Sequence, residues 1–268
     1  MNRGFVVIAQ NNSSVDYIKC AEILCKNIKS HMPTESVTLL TDIKIDSDIF
    51  DNVVTFPFGD TCKNVEWKLA NDWQVYAASP YDYTIKIEAD IYLPRKIDHW
   101  WDILKHRDVV ISSCIHNIKN EIVNDVFYRK VFLENNLPNV YNALTYFKKS
   151  DTANLFFQTV RNIFENWEAY KKIIKCNSTE IATTDVVYGL ASLIVGIEKT
   201  TLPTFTEMGM IHMKKYVNDF ASDEWDHELL IELGDDFCRF NTIPQLYPVH
   251  YHLKRFSLFI ERELYGDP

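Results

Sequence analysis

The sequence predicts an α/β fold, an open and mostly parallel central sheet flanked by helices. Three observations carry this expectation. Strand-like and helix-like segments alternate through the first half on short connections, the order that βαβ units impose. The strand candidates are continuous apolar runs, such as Phe5-Val6-Val7-Ile8-Ala9, as strands buried on both faces require. The composition also supplies a core: 47% of the 268 residues are hydrophobic and 13% aromatic, which excludes a disordered chain. With 7 Gly and 9 Pro, collagen-like and low-complexity classes fall as well.

In chain order, residues 5–9 form the first strand. Ser13 or Ser14 then caps a helix over about 15–30, whose Ile18, Ala21, Leu24, Cys25 and Ile28 recur at helical spacing until Pro33 ends it. Ser36 to Thr41 is a second strand that closes at Asp42, and Val53 to Phe56 a third, stopped by Pro57. Glu66 to Ala78 reads as a helix, Tyr83 to Leu93 as one strand ended by Pro94, Asp98 to Leu104 as a short helix, and Val109 to Ser113 as a strand. Later, Tyr141 to Phe147 is a strand, Ser150 to Lys172 one long helix, 185–195 a helix capped by Thr183 or Thr184, and Thr206 to Met213 a strand. Phe237 to His252 carries Pro244 and Pro248, which predicts an edge strand or a loop; Phe256 to Leu264 reads as a helix. Without a repeat or a Gly/Ser-rich linker, residues 1–268 are expected to form a single domain with halves of about 1–115 and 116–268.

Charge and cysteine usage narrow the function classes. Twenty-eight Lys+Arg against 37 Asp+Glu give 28 − 37 = −9, which disfavours a simple basic nucleic-acid binder and leaves only local basic patches. The cysteines at 20, 25, 62, 114, 176 and 238 are scattered and form no Cys-x-x-Cys pair, so they read as buried small hydrophobes in a reducing compartment. The apolar run at 5–9 is too short for a signal core, and no later run reaches membrane-spanning length. A cytoplasmic protein with no membrane association is expected.

The strongest chemical signal is Ile85-Lys86-Ile87-Glu88-Ala89-Asp90-Ile91. Strand alternation puts Lys86, Glu88 and Asp90 on one side and the apolar residues on the other. Two carboxylates at i and i+2 suit one hard divalent cation, Mg²⁺ or Mn²⁺. They stand at the carboxyl end of a strand, where open α/β sheets place their ligands. A bare acidic-x-acidic triplet is common, and a solvated strand end with a Lys–Glu pair is the plain alternative.

The context extends the signal. A strand near the N-terminus, a second ending in Thr41-Asp42, a helix, and then Tyr81-Asp82 ahead of Glu88-Ala89-Asp90 resemble the nucleotide-binding half of GT-A-type glycosyltransferases. The acidic triplet is similar to that family's Asp-x-Asp motif, with Glu88 in the first place. Tyr141-Asn142-Ala143-Leu144 is similar to its acceptor-side strand, Thr183-Thr184-Asp185 to the stretch near the transferred sugar, and Met210-Ile211-His212 to a late strand whose His completes the metal shell. The whole chain also resembles small glycosyltransferase-like proteins of T-even-like bacteriophages.

The resemblance implies a GT-A-type fold and a transferase that takes a sugar from a nucleotide-sugar donor, UDP-sugar first. Glu88, Asp90 and His212 would hold Mn²⁺ or Mg²⁺, and the ion would neutralise the departing diphosphate. Residues 1–115 would bind the donor and 116–268 the acceptor. Gln10, Asn11, Asp42, Lys68, Lys86 and Lys254 are donor-side candidates; Asn142, Thr184, His250 and His252 are candidates on the acceptor or sugar side. His250 and His252, on one strand face, also compete with His212 as metal ligands. Asp185 is the candidate catalytic residue, as a sugar-positioning group or general base, set against a plain helix-start carboxylate. The phage likeness further implies glucosyl or arabinosyl transfer to hydroxymethylcytosine in duplex DNA, in a host cytoplasm. The pairs Lys148/Lys149, Lys214/Lys215 and Lys254/Arg255 are the basic residues that would meet phosphates. Two rivals stand beside this reading, a nucleotidyltransferase and a non-catalytic nucleotide-sugar-binding module.

Overall fold

The structure is a computed structural model that describes residues 2–62, 65–123, 127–175, 180–202 and 208–266. Cys176 and the expected strand start at Thr206 and Glu207 lie outside the described residues. Within them the chain forms thirteen strands: β1 (Arg3–Ile8), β2 (Ser36–Thr41), β3 (Asn52–Thr55), β4 (Tyr83–Glu88), β5 (Ile91–Tyr92), β6 (Val109–Ser112), β7 (Ile115–His116), β8 (Tyr141–Lys148), β9 (Met210–His212), β10 (Ile231–Gly234), β11 (Phe237–Phe240), β12 (Ile243–Pro244) and β13 (Val249–His250).

The central sheet has the order β3-β2-β1-β4-β8-β6. Its first four strands run parallel, and β8 is antiparallel to both β4 and β6. The period-two alternation of β1 and β4 divides the core. Phe5, Val7, Ile85 and Ile87 face one apolar cluster with the helix Tyr17–His31, while Val6 joins the other with the helices Asp151–Glu165 and Thr184–Val195. Both faces are covered, which is why these strands read as continuous apolar runs. The expected α/β class and mostly parallel sheet are those observed.

Three expectations change at the level of elements. The predicted strand 83–93 breaks after Glu88: β4 stays in the central sheet, and β5 enters a second sheet of order β5-β13-β9-β7. The segment 237–252 is not an edge or loop throughout. It gives β11 and β12, which join β10 in a three-stranded meander, and then β13, an interior strand paired antiparallel to β5 and parallel to β9. Pro248 lacks only an N–H, and its carbonyl still accepts from the Ile211 amide at 2.7 Å. The helix expected over 66–78 is a 3₁₀ segment, Leu69–Gln74, followed by one α turn, Val75–Ala78. Its Asn71 and Gln74 bond outward to Gln10, Asp60, Thr61 and Phe58 and hold the segment in this tighter path.

Caps and breaks are local refinements. The first helix is capped by Asp16, whose carboxylate accepts from the Lys19 amide at 2.9 Å, and not by Ser13 or Ser14. The long second-half helix starts on the Ser150 cap as expected and is interrupted at Asn166. Cys20, Cys25, Cys62 and Cys238 are free and buried, and Cys114 is free and half-buried. Among the described residues, no helix is long and apolar enough to cross a membrane.

Lys86 is buried completely beneath the sheet's carboxyl edge. Its ammonium pairs with Asp72 at 2.8 Å and donates to the Asn142 carbonyl at 3.0 Å; Asp72 also accepts from the Tyr188 hydroxyl. Removing one partner of such a pair leaves the other charge buried alone. Lys86→Met is therefore expected to cost about 3–5 kcal/mol in chemical denaturation. The double variant Lys86→Met/Asp72→Asn should recover part of that loss. An unchanged denaturation midpoint in the single variant would contradict the assignment.

Candidate functional site

A cleft of about 610 Å³ opens where β1 and β4 end. The sheet topology makes it: the chain leaves β1 at Ile8 and β4 at Glu88, and both turns face the starts of β8 and of the helix Thr184–Val195. The end of β13 and the residues behind it close the remaining side. Gln10, Lys68, Glu88, Asp90, Asn142, Thr184, Asp185, His212, His250, His252 and Lys254 all line it, from segments up to 244 positions apart (254 − 10).

Three expected residues are placed elsewhere. Asn11 turns its side-chain oxygen to the Ile18 amide at 3.0 Å and supports the helix start. Asp42 follows β2, half-buried and outside the cleft lining. Lys86 lies under the floor, in the ion pair described above. It shares the sheet face of Glu88, as alternation requires, but is 3.8 Å from that carboxylate and sealed from the cleft.

Two carboxylates and one imidazole meet on the floor. One ligand atom each from Glu88, Asp90 and His250 lie within 4.8 Å of one another. His250 Nε2 is 3.2 Å from Glu88 Oε2 and 3.3 Å from Asp90 Oδ2. The imidazole beside the two carboxylates is thus that of His250, which sequence analysis set on the acceptor side and, with His252, as a competitor of His212 for the metal. His212 groups instead with His250 and His252. The Lys254 ammonium also pairs with Asp90 and stands over the Tyr17 ring at 5.1 Å. Backbone pairing assists, since the Tyr251 amide donates to the Asp90 carbonyl at 3.1 Å.

The electrostatics follow from this packing. Burial opposes ionisation of Asp90, but Lys254 and His250 outweigh it and hold the carboxyl well below its usual range. Burial likewise opposes a charged His250, and Asp90 and Glu88 overcome it to push the imidazole up to about 9. Among the described residues, His212 and His252 have no such carboxylate contact. Burial, reinforced by His250, pushes both well below the ordinary histidine value.

Across the cleft, Asp185 is locked in the first turn of its helix. Its Oδ2 accepts from Arg129 at 2.6 Å and its Oδ1 from the Asn142 amide at 2.9 Å. Arg129 in turn lies over the Phe132 and Tyr141 rings at 3.8 and 4.1 Å. Sequence reasoning missed Arg129, because no motif surrounds it and its partner is 56 positions away. It also missed Asp72 and Tyr17, which reach the cleft as buried or half-buried groups. Two amide groups on the lining lack partners among the described residues, Gln10 Nε2 and Asn142 Nδ2; both are buried donors. Trp67 stands 55% exposed on the rim, while Trp73 packs inward.

The nominated basic pairs have internal partners. Lys148 pairs with Asp108 at 2.8 Å, Lys254 with Asp90, and Arg255 with Asp226 and Glu224 at 2.6 and 2.9 Å. Lys149 sits over the Tyr76 ring at 4.4 Å.

A pH dependence follows from His250. Its folded pKa of about 9 exceeds the unfolded value of about 6.5, so its stabilisation is complete below that lower value and is lost as pH rises through about 9. Asp90 acts at the other end: its contribution is complete above the ordinary carboxylate range and is lost progressively as pH falls from there toward its depressed pKa. With chelator present, the Tm is expected to fall between pH 7 and 9, and His250→Gln should flatten that decline. A wild-type Tm that stays level over this window would count against the charged His250.

No family model and no curated protein matches the chain. Among solved structures it is similar to the galactosyltransferase LgtC in complex with donor and acceptor sugar analogs, with a TM-score of 0.56 at 9% identity over 99% of this chain and 97% of that one. An active-site mutant of LgtC aligns over the same shares with a TM-score of 0.54 at 10% identity. The apo structure of the bifunctional glycosyltransferase WbbM aligns at 0.50 and 10% identity, over 100% of this chain and 46% of its own length. At such identities the likeness is one of backbone architecture. It establishes that this chain, with its parallel sheet and its cleft at the carboxyl edge, has the GT-A-type fold of these glycosyltransferases.

Proposed function

We propose that the chain is a metal-dependent glycosyltransferase that moves a sugar from a nucleotide-sugar donor, UDP-sugar first, to a hydroxyl acceptor. The observation that carries this reading is the meeting of Glu88, Asp90 and His250 at the end of β4, inside the cleft of a glycosyltransferase fold. Two carboxylate oxygens and an imidazole nitrogen fit Mn²⁺, and Mg²⁺ through its oxygens. When bound, such an ion supplies charge neutralisation for a departing diphosphate.

The chain's own residues do the rest. Glu88, Asp90 and His250 hold the ion. Lys254, already drawn to Asp90, offers a cation to a diphosphate beside it. Gln10 and Asn142 present unpartnered amide donors for donor and sugar oxygens. Asp185 has both oxygens oriented by Arg129 and the Asn142 amide, which supports a role in positioning a sugar hydroxyl more than one as a mobile proton acceptor. In this reading 1–268 works as one domain, with the donor on 1–115 and the acceptor on 116–268. Its place is the cytoplasm, a setting that the free cysteines support.

Calorimetry of UDP with and without Mn²⁺ tests the metal seat. Asp90→Asn is expected to remove the metal-dependent gain in affinity. His250→Gln should weaken it on the order of 10–100-fold, more than His212→Gln does. The same Mn²⁺-assisted affinity in all three variants would overturn the seat. No cooperation between UDP and Mn²⁺ in the wild type, together with no hydrolysis of any nucleotide sugar, would favour the binding-module alternative.

The finer acceptor, hydroxymethylcytosine in duplex DNA, rests on the phage resemblance. The internal pairing of Lys148, Lys254 and Arg255 adds no support for a phosphate-binding face. Nucleotide sugars are offered with duplexes that do or do not carry hydroxymethylcytosine, and products are weighed by mass spectrometry at low and high salt. DNA transfer predicts a mass gain confined to the modified duplex and weakened by salt. A gain on saccharide acceptors alone would exclude DNA and leave the transferase reading standing.

A further inference from the structure

We propose that His212, His250 and His252 form a second metal seat, suited to Zn²⁺, which is coupled to the carboxylate seat through His250. One ring nitrogen from each of the three residues falls within 4.8 Å of the others. The ladder brings two of them together, because His250 and His212 are register partners on the parallel strands β13 and β9. His252 comes back toward them because its backbone takes a left-handed φ of +50°, uncommon for a residue other than glycine. His252 Nε2 lies 3.4 Å from His212 Nδ1. Two ligand nitrogens on a tetrahedral ion with bonds of 2.0–2.1 Å lie about 3.4 Å apart, so that pair already has the spacing of a zinc site.

The chemistry of the donors selects the ion. Three imidazoles and no carboxylate suit Zn²⁺, whereas oxygen ligands suit Mg²⁺ and Mn²⁺. A three-histidine set that leaves a fourth position open is an established zinc arrangement. His250 can serve either seat. Its Nε2 faces Glu88 and Asp90, while its Nδ1 is buried and has no hydrogen-bond partner among the described residues. Recruiting this imidazole to Zn²⁺ removes a ligand from the carboxylate seat, so zinc antagonises the Mn²⁺-assisted donor binding proposed above. That consequence rests on the transferase reading; the zinc seat itself does not.

The test uses the full-length, tag-free, chelator-stripped protein, titrated calorimetrically with ZnCl₂ alone and separately with MnCl₂ in the presence of UDP. Circular dichroism checks that each variant folds. Wild type is expected to bind Zn²⁺. His252→Asn, which tolerates the left-handed φ, and His212→Gln should each weaken Zn²⁺ on the order of tenfold or more and retain Mn²⁺ binding. Asp90→Asn should lose Mn²⁺ and keep Zn²⁺. Unchanged Zn²⁺ affinity in His252→Asn and His212→Gln would overturn the seat. Loss of Zn²⁺ with Asp90→Asn to the same extent as Mn²⁺ would also overturn it, by merging the two seats into one. A wild type that binds Zn²⁺ through the histidines but no Mn²⁺ would uphold this inference and refute the carboxylate seat.

Discussion

A buried carboxylate at a strand end is the constraint around which the cleft is arranged. Asp90 is 4% exposed and ionised, a state that a low-dielectric site tolerates only with cations in contact. The sheet edge itself offers none, because the Lys86 ammonium is held by Asp72 and the Asn142 carbonyl. The cations come instead from the far end of the chain, as His250 and Lys254. The same segment carries β13, which pairs between β5 and β9 in the second sheet. Fold and candidate chemistry thus share one interaction. The carboxylate that would hold a metal is also the group that anchors the C-terminal segment over the carboxyl edge of the central sheet.

The opposite wall obeys the same logic with the signs arranged differently. Asp185 sits at a helix start, where the dipole favours a negative charge, and Arg129 and the Asn142 amide take up its two oxygens. Arg129 is itself enclosed by Phe132 and Tyr141. Each side chain in this set is held by another, so the wall is rigid before any ligand arrives. Rigid donors and acceptors lose little on binding, so such a wall can orient a polar ligand at low cost.

Histidine distribution separates two environments within a few ångströms. His250 touches carboxylates and is pushed toward its charged form, while His212 and His252 touch one another and His250 and are kept neutral by burial. One imidazole therefore belongs electrostatically to the acidic floor, and two line the cleft beside it as neutral rings. Tyr141 packs edge-on against His212 at 5.5 Å and marks that boundary.

The parallel sheet, the helix phases and the two carboxylates at a strand end were legible in the sequence, because each rests on local rules: period-two and period-3.6 patterning, and the exit of a strand into a loop. Gln10 and Asp185 were named as candidates from a strand exit and a helix start, Asn142 from the family resemblance and Lys254 from a basic stretch, and all four line the cleft. What only the tertiary structure decided depends on pairings between distant segments. The break between Glu88 and Ile91 follows from β13 pairing with β5 and not with the central sheet. The choice of His250 over His212 beside the carboxylates follows from which strand lies next to β5. Lys86 reads like a solvent-facing lysine, yet β8 and the helix Thr184–Val195 bury it under the cleft floor. Arg129 has no local pattern at all; only the fold brings it to Asp185. Side-chain chemistry and periodicity are written residue by residue, but a site assembled from many separate parts of a chain exists only once the sheets have closed around it.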